Sequence, residues 1–176
     1  SPARRRALRR GFQMVFQDPS GSLDPRRTAG WSVAEPLLAD RSLTAGRRAE
    51  RVRRAFDRVG LPAASLDRYP HQFSGGQRQR ITIARAIVTE PALIVADEPV
   101  AALDVSIQAQ ILNLFMDLQE EFGLAMLFIS HDLAAVASLC DRIAVMREGR
   151  IVETAATRTI VSAPKDAYTR SLFAAA

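Results

Sequence analysis

Residues 92–130 constrain the fold more than any other stretch of the chain. "ALIVAD" (92–97) is a continuous apolar run of strand length, the pattern of a strand covered on both faces. "SIQAQILNLFMDLQEEFG" (106–123) follows, with Ile107, Ile111, Leu114, Phe115, Leu118 and Phe122 on one helical face and Gly123 as its C-cap. "LAMLFIS" (124–130) is a second apolar strand. Two apolar strands joined by one long amphipathic helix argue for a parallel sheet.

The rest of the chain is arranged around that unit. "GFQMVFQ" (11–17) reads as a further strand ending at Gln17, and "DPSGSLDPRR" (18–27) as a turn-rich loop with two Asp-Pro steps. Residues 31–72 read as short helices broken by Pro36, Gly46, Gly60-Leu61-Pro62 and Pro70, an insertion beside the sheet. The spacing predicts a longer helix over 75–89 and a short one over 132–138. "RIAVMREGRIVE" (142–153) reads as a hairpin turning at Glu148-Gly149, and two short helices near 156–162 and 166–174 close the chain. Internal repeats and low-complexity tracts are absent from the sequence.

Composition narrows the class. With 176 residues, 48% of them hydrophobic and 24% charged, the chain suits one globular domain or a domain with a subdomain. A single cysteine, Cys140, excludes an internal disulfide framework and a multi-cysteine metal site, which fits a reducing compartment. Apolar runs such as "PALIVA" are of strand length, too short to cross a bilayer. "SPARRRALRR" is basic, but no long apolar stretch follows it, so it does not read as a signal peptide. The chain begins with Ser1, and we expect it to be part of something longer. Of the net +5 charge, the basic share sits early: residues 1–60 hold 14 arginines against 6 acids. Such a third could bind nucleic acid or a lipid surface. The plainer reading is a solvated helix face, since Val52, Ala55, Phe56 and Val59 form an apolar stripe opposite the arginines.

Chemistry concentrates at predicted strand ends. "LIVADEP" delivers Asp97 and Glu98 at a strand mouth and then breaks the chain with Pro99. Ligands of open α/β sheets sit at the carboxyl ends of strands. An aspartate there suits Mg²⁺, and the glutamate after it is placed to orient or deprotonate a water. The plain alternative is an exposed turn. His131, in "FISHD", ends the next predicted strand; its ring could contact a γ-phosphate or hold the geometry around Glu98. At a third such mouth, the amide of Gln17 can meet Mg²⁺ or an attacking water. "FSGGQRQR" (73–80) opens a helix with Ser-Gly-Gly, where backbone N–H groups can face a phosphate.

Taken in order and spacing, "MVFQDP", "FSGGQRQR", "LIVADEP", "AALD" and "FISHD" resemble the Q-loop, signature, Walker B, D-loop and H-loop of an ATP-binding cassette ATPase. The resemblance covers about residues 12–173. "QDPSGSLDPR", "YPHQFSGGQRQR", "ADEPVAALDVS" and "APKDAYTRSLF" are similar to the oligopeptide, dipeptide and nickel importer branch, with Ala101 and Asp166 as small departures. It implies an α/β fold, a P-loop NTPase (RecA-like) core with an inserted helical signature subdomain. The parts would be a Q-loop strand and loop (11–30), a helical subdomain with the signature (31–90), a catalytic core (91–154) and a helical tail (155–176). It further implies ATP and Mg²⁺ as ligands, a head-to-tail partner cassette, identical or paralogous, transmembrane permease subunits and, indirectly, a solute-binding protein. The place implied is peripheral, on the cytoplasmic face of a bacterial-type inner membrane.

Residue roles follow by the same resemblance. Ser74, Gly75, Gly76 and Gln77 would touch the γ-phosphate of a nucleotide held by the partner subunit. Asp97, Glu98, His131 and Gln17 would serve the nucleotide of their own subunit, with Glu98 and His131 catalytic. Mg²⁺ would be held by Asp97 and, through water, by Gln17. Asp104 would cross the dimer interface. One departure is decisive: Gly-x-x-x-x-Gly-Lys-[Ser/Thr] is absent, and the single lysine is Lys165. The core is therefore expected to be N-terminally truncated and the 176 residues inactive alone. A cassette ATPase of DNA repair or translation and a non-catalytic remnant serving as an interaction module are the alternatives; binding to nucleic acid is not expected.

Overall fold

A computed structural model describes residues 11–174, so the basic run at residues 1–10 and its reading as no signal peptide lie outside the described residues. The chain divides into two compact units, Ser1–Leu127 and Phe128–Ala176.

In the first unit, strand β1 (Phe12–Val15) lies parallel to β2 (Leu93–Asp97), with Phe12 opposite Leu93 and Val15 opposite Ala96. Strand β3 (Ala125–Ile129), whose last residues open the second unit, follows in the order β1-β2-β3, and the N–H of Ala125 donates to the carbonyl of Ala92 at 2.9 Å. β1 stops at Val15, so Gln17 lies two residues past the strand that was expected to end on it. Asp18 is the reason. Its carboxylate accepts from the N–H of Ser20 and caps a one-turn helix, α1 (Pro19–Ser22), inside what the sequence suggests is loop.

Helix α2 (Ala29–Ala34), capped by Thr28, runs on without interruption into a 3-10 turn (Glu35–Ala39). Pro36 does not break it, because proline at the start of a turn loses no hydrogen bond. Gly46 likewise lies within α3 (Ala45–Arg58), at its second position, rather than at a break. The predicted stripe is real: Val52, Ala55, Phe56 and Val59 are all buried, while Arg47, Arg53 and Arg54 face solvent.

Helix α4 (Gly75–Ile87) has the opposite character. Ile81, Ile83, Ala84, Ala86 and Ile87 are buried on every side, as befits a helix wrapped by α1, α2, α3 and β1. Each large aliphatic side chain enclosed there contributes about 1.5–3 kcal/mol. Helix α5 (Val105–Phe122) buries Ile111, Leu114, Phe115 and Leu118, and Gly123 ends it with φ of 58°, the left-handed C-cap foreseen from the sequence.

The second unit is built on a hairpin. Strands β4 (Arg142–Arg147) and β5 (Arg150–Ala156) pair antiparallel through a turn in which Glu148 and Gly149 both have positive φ. Ahead of it lies α6 (Leu133–Leu139); after it come α7 (Thr157–Ser162), which buries Ile160, and α8 (Ala167–Ala174). The tail is tied to the hairpin by Glu153, whose carboxylate accepts from the N–H groups of Lys165 at 2.9 Å and Asp166 at 3.1 Å. Those two bonds hold its carboxyl below the usual range.

Candidate functional site

The carboxylates come first. β2 carries Asp97 to its carboxyl end, and the chain then turns through Glu98. Glu98 has φ of 47°, a left-handed conformation that costs a residue with a Cβ about 1–2 kcal/mol. Such strain persists where surrounding structure over-determines it, and functional sites are where it collects. The Oε2 atom of Glu98 is buried, and the N–H of Ala101 closes the turn on the Glu98 carbonyl at 3.3 Å. Because β1 and β2 are parallel and Val15 stands opposite Ala96, Gln17 leaves β1 at the same end of the sheet. The structure thus brings Gln17, Asp97 and Glu98 to one edge.

The turn at Ser74–Gly76 is organised by local bonds. Ser74 has extended backbone and is the N-cap of α4; its hydroxyl accepts from the N–H of Gln77 at 3.3 Å. The Gln77 side chain returns the favour, accepting from the N–H of Ser74 at 3.0 Å, which completes a capping box. Gly75 and Gly76 occupy the first two helical positions, where N–H groups have no partner within the helix. Those donors and the positive helix end suit an oxyanion of phosphate.

Close packing explains one of the glycines. A Cβ on Gly76 would lie 2.5 Å from Cγ2 of Ile107, at the first turn of α5. Asp104 caps that same turn, accepting from the N–H of Ile107 at 3.1 Å and the hydroxyl of Ser106 at 2.9 Å. These bonds, the backbone one foremost, hold the Asp104 carboxyl below the usual range. Gln108 fastens the intervening loop: its Nε2 donates to the carbonyls of Val100 and Leu103, each at 3.1 Å.

His131 belongs to the second unit, exposed and two residues past β3. Asp132 beside it caps α6, accepting from the N–H groups of Ala134 and Ala135.

Three residues that the sequence reading passed over also shape the site. Arg78 donates to the Ser20 hydroxyl at 2.7 Å and to the Phe73 carbonyl at 3.1 Å. Arg85 reaches the Ser22 carbonyl at 2.9 Å and Glu35 at 2.6 Å. Together they bind the segment after Gln17 to the signature helix. Their spacing of seven, which puts both on one face of α4, was the available signal. Gln108 offered none, since its partners are loop carbonyls.

Among the described residues, no cluster of three or more His, Cys, Asp or Glu side chains forms a ready-made metal cage. Mg²⁺ in nucleotide sites takes one or two carboxylates and completes its shell with phosphate and water, and Asp97 with Gln17 is a donor set of that kind. The set fits a γ-phosphate and its metal. Residues 1–176 themselves carry no lysine-bearing phosphate loop.

Comparison with known proteins places the family. The family model described as ABC transporter matches residues 1–101. A putative peptide import ATP-binding protein of Brucella ovis is 54% identical over 170 residues, covering 97% of this chain and 54% of its own. The glutathione import ATP-binding protein GsiA of Escherichia coli is 53% identical over 175 residues, 99% of this chain and 28% of its own. The chain therefore spans about half or less of the length of these relatives. Among solved structures, cbiO1 of Clostridium perfringens, part of the transporter complex cbiONQ, superposes with a TM-score of 0.80 at 30% identity, over 89% of this chain and 61% of that one. The ATP-binding cassette MJ0796, solved as a dimer in a post-hydrolysis state with ADP and Pi, gives 0.76 at 29% identity, over 90% and 68%. With the family model covering more than half of its length and the sheet, signature turn and carboxylate mouth in cassette order, the chain belongs to the ABC transporter family.

Proposed function

We propose that this chain provides the catalytic carboxylates and the partner-facing signature of an ATP-hydrolysing subunit that energises an importer of peptides or related small solutes. The observation that carries the reading is the Asp97–Glu98 mouth, with Glu98 held in a strained backbone at the same end of the sheet as Gln17. The import functions in the relatives' names support the solute class.

Bound Mg²⁺ would neutralise phosphate charge, with Asp97 directly and Gln17 through water as its protein donors. Glu98 orients the attacking water and takes its proton as the bond from the γ-phosphorus to the leaving ADP oxygen breaks. His131 donates to the γ-phosphate side. Ser74, Gly75, Gly76 and Gln77 serve the nucleotide of a second cassette, and Asp104 lies at the same interface. The work divides among the Q-loop segment (11–30), a helical subdomain (31–90), a catalytic core (91–154) and a tail (155–176).

None of the described helices is long and apolar enough to cross a membrane. In this reading permease subunits of another chain form the pore, and this subunit works at the membrane's cytoplasmic face. The groove between α2 and α3, lined by Trp31, Ala34, Ala49, Val52 and Leu66 with Arg53 at its rim, offers those subunits an apolar seat in the helical subdomain. A solute-binding protein acts upstream of them.

Turnover assays decide the matter. Residues 1–176 alone should give no release of phosphate from Mg-ATP, whereas the full-length protein should, and Glu98→Gln in it should abolish turnover while nucleotide binding persists. Turnover by Glu98→Gln at the parental rate would remove Glu98 from its role.

A further inference from the structure

We propose that Ile107 is a positioning residue for the signature turn, and that its β-branch methyl is the seat on which Gly76 rests. The consequence for phosphate contact rests on the function proposed above; the seat itself does not. Three observations converge. The Cγ2 methyl of Ile107 fills the space where a Cβ on Gly76 would go, 2.5 Å away, whereas its Cδ1 stands at 3.8 Å. A Cβ on the neighbouring Gly75 would lie 3.7 Å from Leu103 Cδ2, an ordinary van der Waals distance. Ile107 is in turn fixed from behind, because Asp104 accepts from its N–H and Gln108 straps the loop between Val100 and Leu103.

Cross-bracing further along the two helices keeps them in register: Arg80 on α4 donates from Nη2 to Gln110 on α5 at 3.3 Å, and from Nη1 to the Val59 carbonyl at 2.7 Å. The turn that presents the unpaired N–H groups of Gly75 and Gly76 therefore cannot sink or rotate without displacing the first turn of α5. Asp104 and Ser74–Gly76 behave as one body, with the Ile107 Cγ2 methyl the atom nearest to where a Gly76 Cβ would stand.

Side-chain shape gives a test that bulk packing does not. Valine at 107 keeps both γ-carbons and loses only Cδ1; leucine keeps the volume and loses the branch at Cβ. Hydrogen exchange at the Gln77 and Arg78 amides, measured on the chain, should be unchanged in Ile107→Val and about tenfold faster in Ile107→Leu. In the full-length protein, Ile107→Leu should lower kcat about tenfold with KM for ATP unchanged, since nucleotide is held by the other cassette and only the closing contact is misplaced. Melting curves supply a second arm. Gly76→Ala should lower Tm, and the double variant Gly76→Ala/Ile107→Ala should recover most of the loss, the new Cβ occupying the vacated site.

Exchange that is unaltered in Ile107→Leu, or raised as much in Ile107→Val, overturns the seat. So does a double variant no more stable than Gly76→Ala. Faster exchange with kcat untouched leaves the seat standing and sinks the phosphate-contact reading instead.

Discussion

The turn at Ser74–Gly76 and the turn at Asp97–Pro99 present chemistry in opposite ways. At the first, every conformation is locally comfortable: a serine N-cap, a reciprocal glutamine and two glycines where a helix starts. Its N–H donors are exposed because a helix end leaves them so. At the second, a glutamate with a full side chain sits at φ of 47°, between the strand before it and the fastened loop after it. The backbone conformation of the donor end is set by local propensity, with Ile107 fixing only where it sits, whereas the carboxylate end needs tertiary constraint for its conformation itself. The role proposed for Glu98, aiming a carboxylate at one water, would draw on such over-determination.

Mutations can break that contrast or sharpen it, and turnover shows the largest effect. Glu98→Gln in the full-length protein should cost about 10²–10⁴ in rate, since it removes the proton acceptor and keeps the shape. Next comes Ser74→Ala, which should lower stability by about 1 kcal/mol in chemical denaturation by deleting the cap of α4, with Ser74→Asp restoring most of it. Glu98→Gly should act in the reverse direction, raising stability by about 0.5–1 kcal/mol while activity is lost, because glycine accepts the left-handed backbone freely. A result in which both substitutions destabilise equally would erase the distinction between the two turns.

Inside α4 lies a further contrast. Gln79 is fully buried, and its Nε2 has no hydrogen-bond partner, although its backbone carbonyl accepts from Thr82. Replacing it by methionine should stabilise the chain by about 1 kcal/mol, read as a rise in denaturation midpoint at constant m.

The smallest effect is one of pH. Asp104 has a folded carboxyl held below its unfolded value by the Ile107 N–H and Ser106. Its contribution is therefore complete above the ordinary carboxylate range and fades as pH falls through the depressed folded value. Amide exchange at the start of α5 should quicken below about pH 4, and Asp104→Asn should remove the dependence. The start of α4, capped by a hydroxyl, should show no such step.

Sequence alone determined what local chemistry dictates. The apolar runs fixed β2 and β3, the stripes fixed the buried faces of α3 and α5, and Gly123 fixed the end of α5, because period and backbone freedom are written residue by residue. The helix start after Ser74 and the carboxylate pair at 97–98 were legible for the same reason, whereas the reciprocal bond from Gln77 was not among the expectations. Tertiary structure decided where strand β1 ends, since Asp18 caps a helix that the Asp-Pro steps had concealed. It decided that Gly76 must be glycine on account of Ile107, thirty-one positions away, and that Arg78, Arg85 and Gln108 are tethers. It also set the left-handed backbone of Glu98. Each of these depends on which atom meets which across a long stretch of chain, and contacts of that kind leave no periodic trace in the order of the residues.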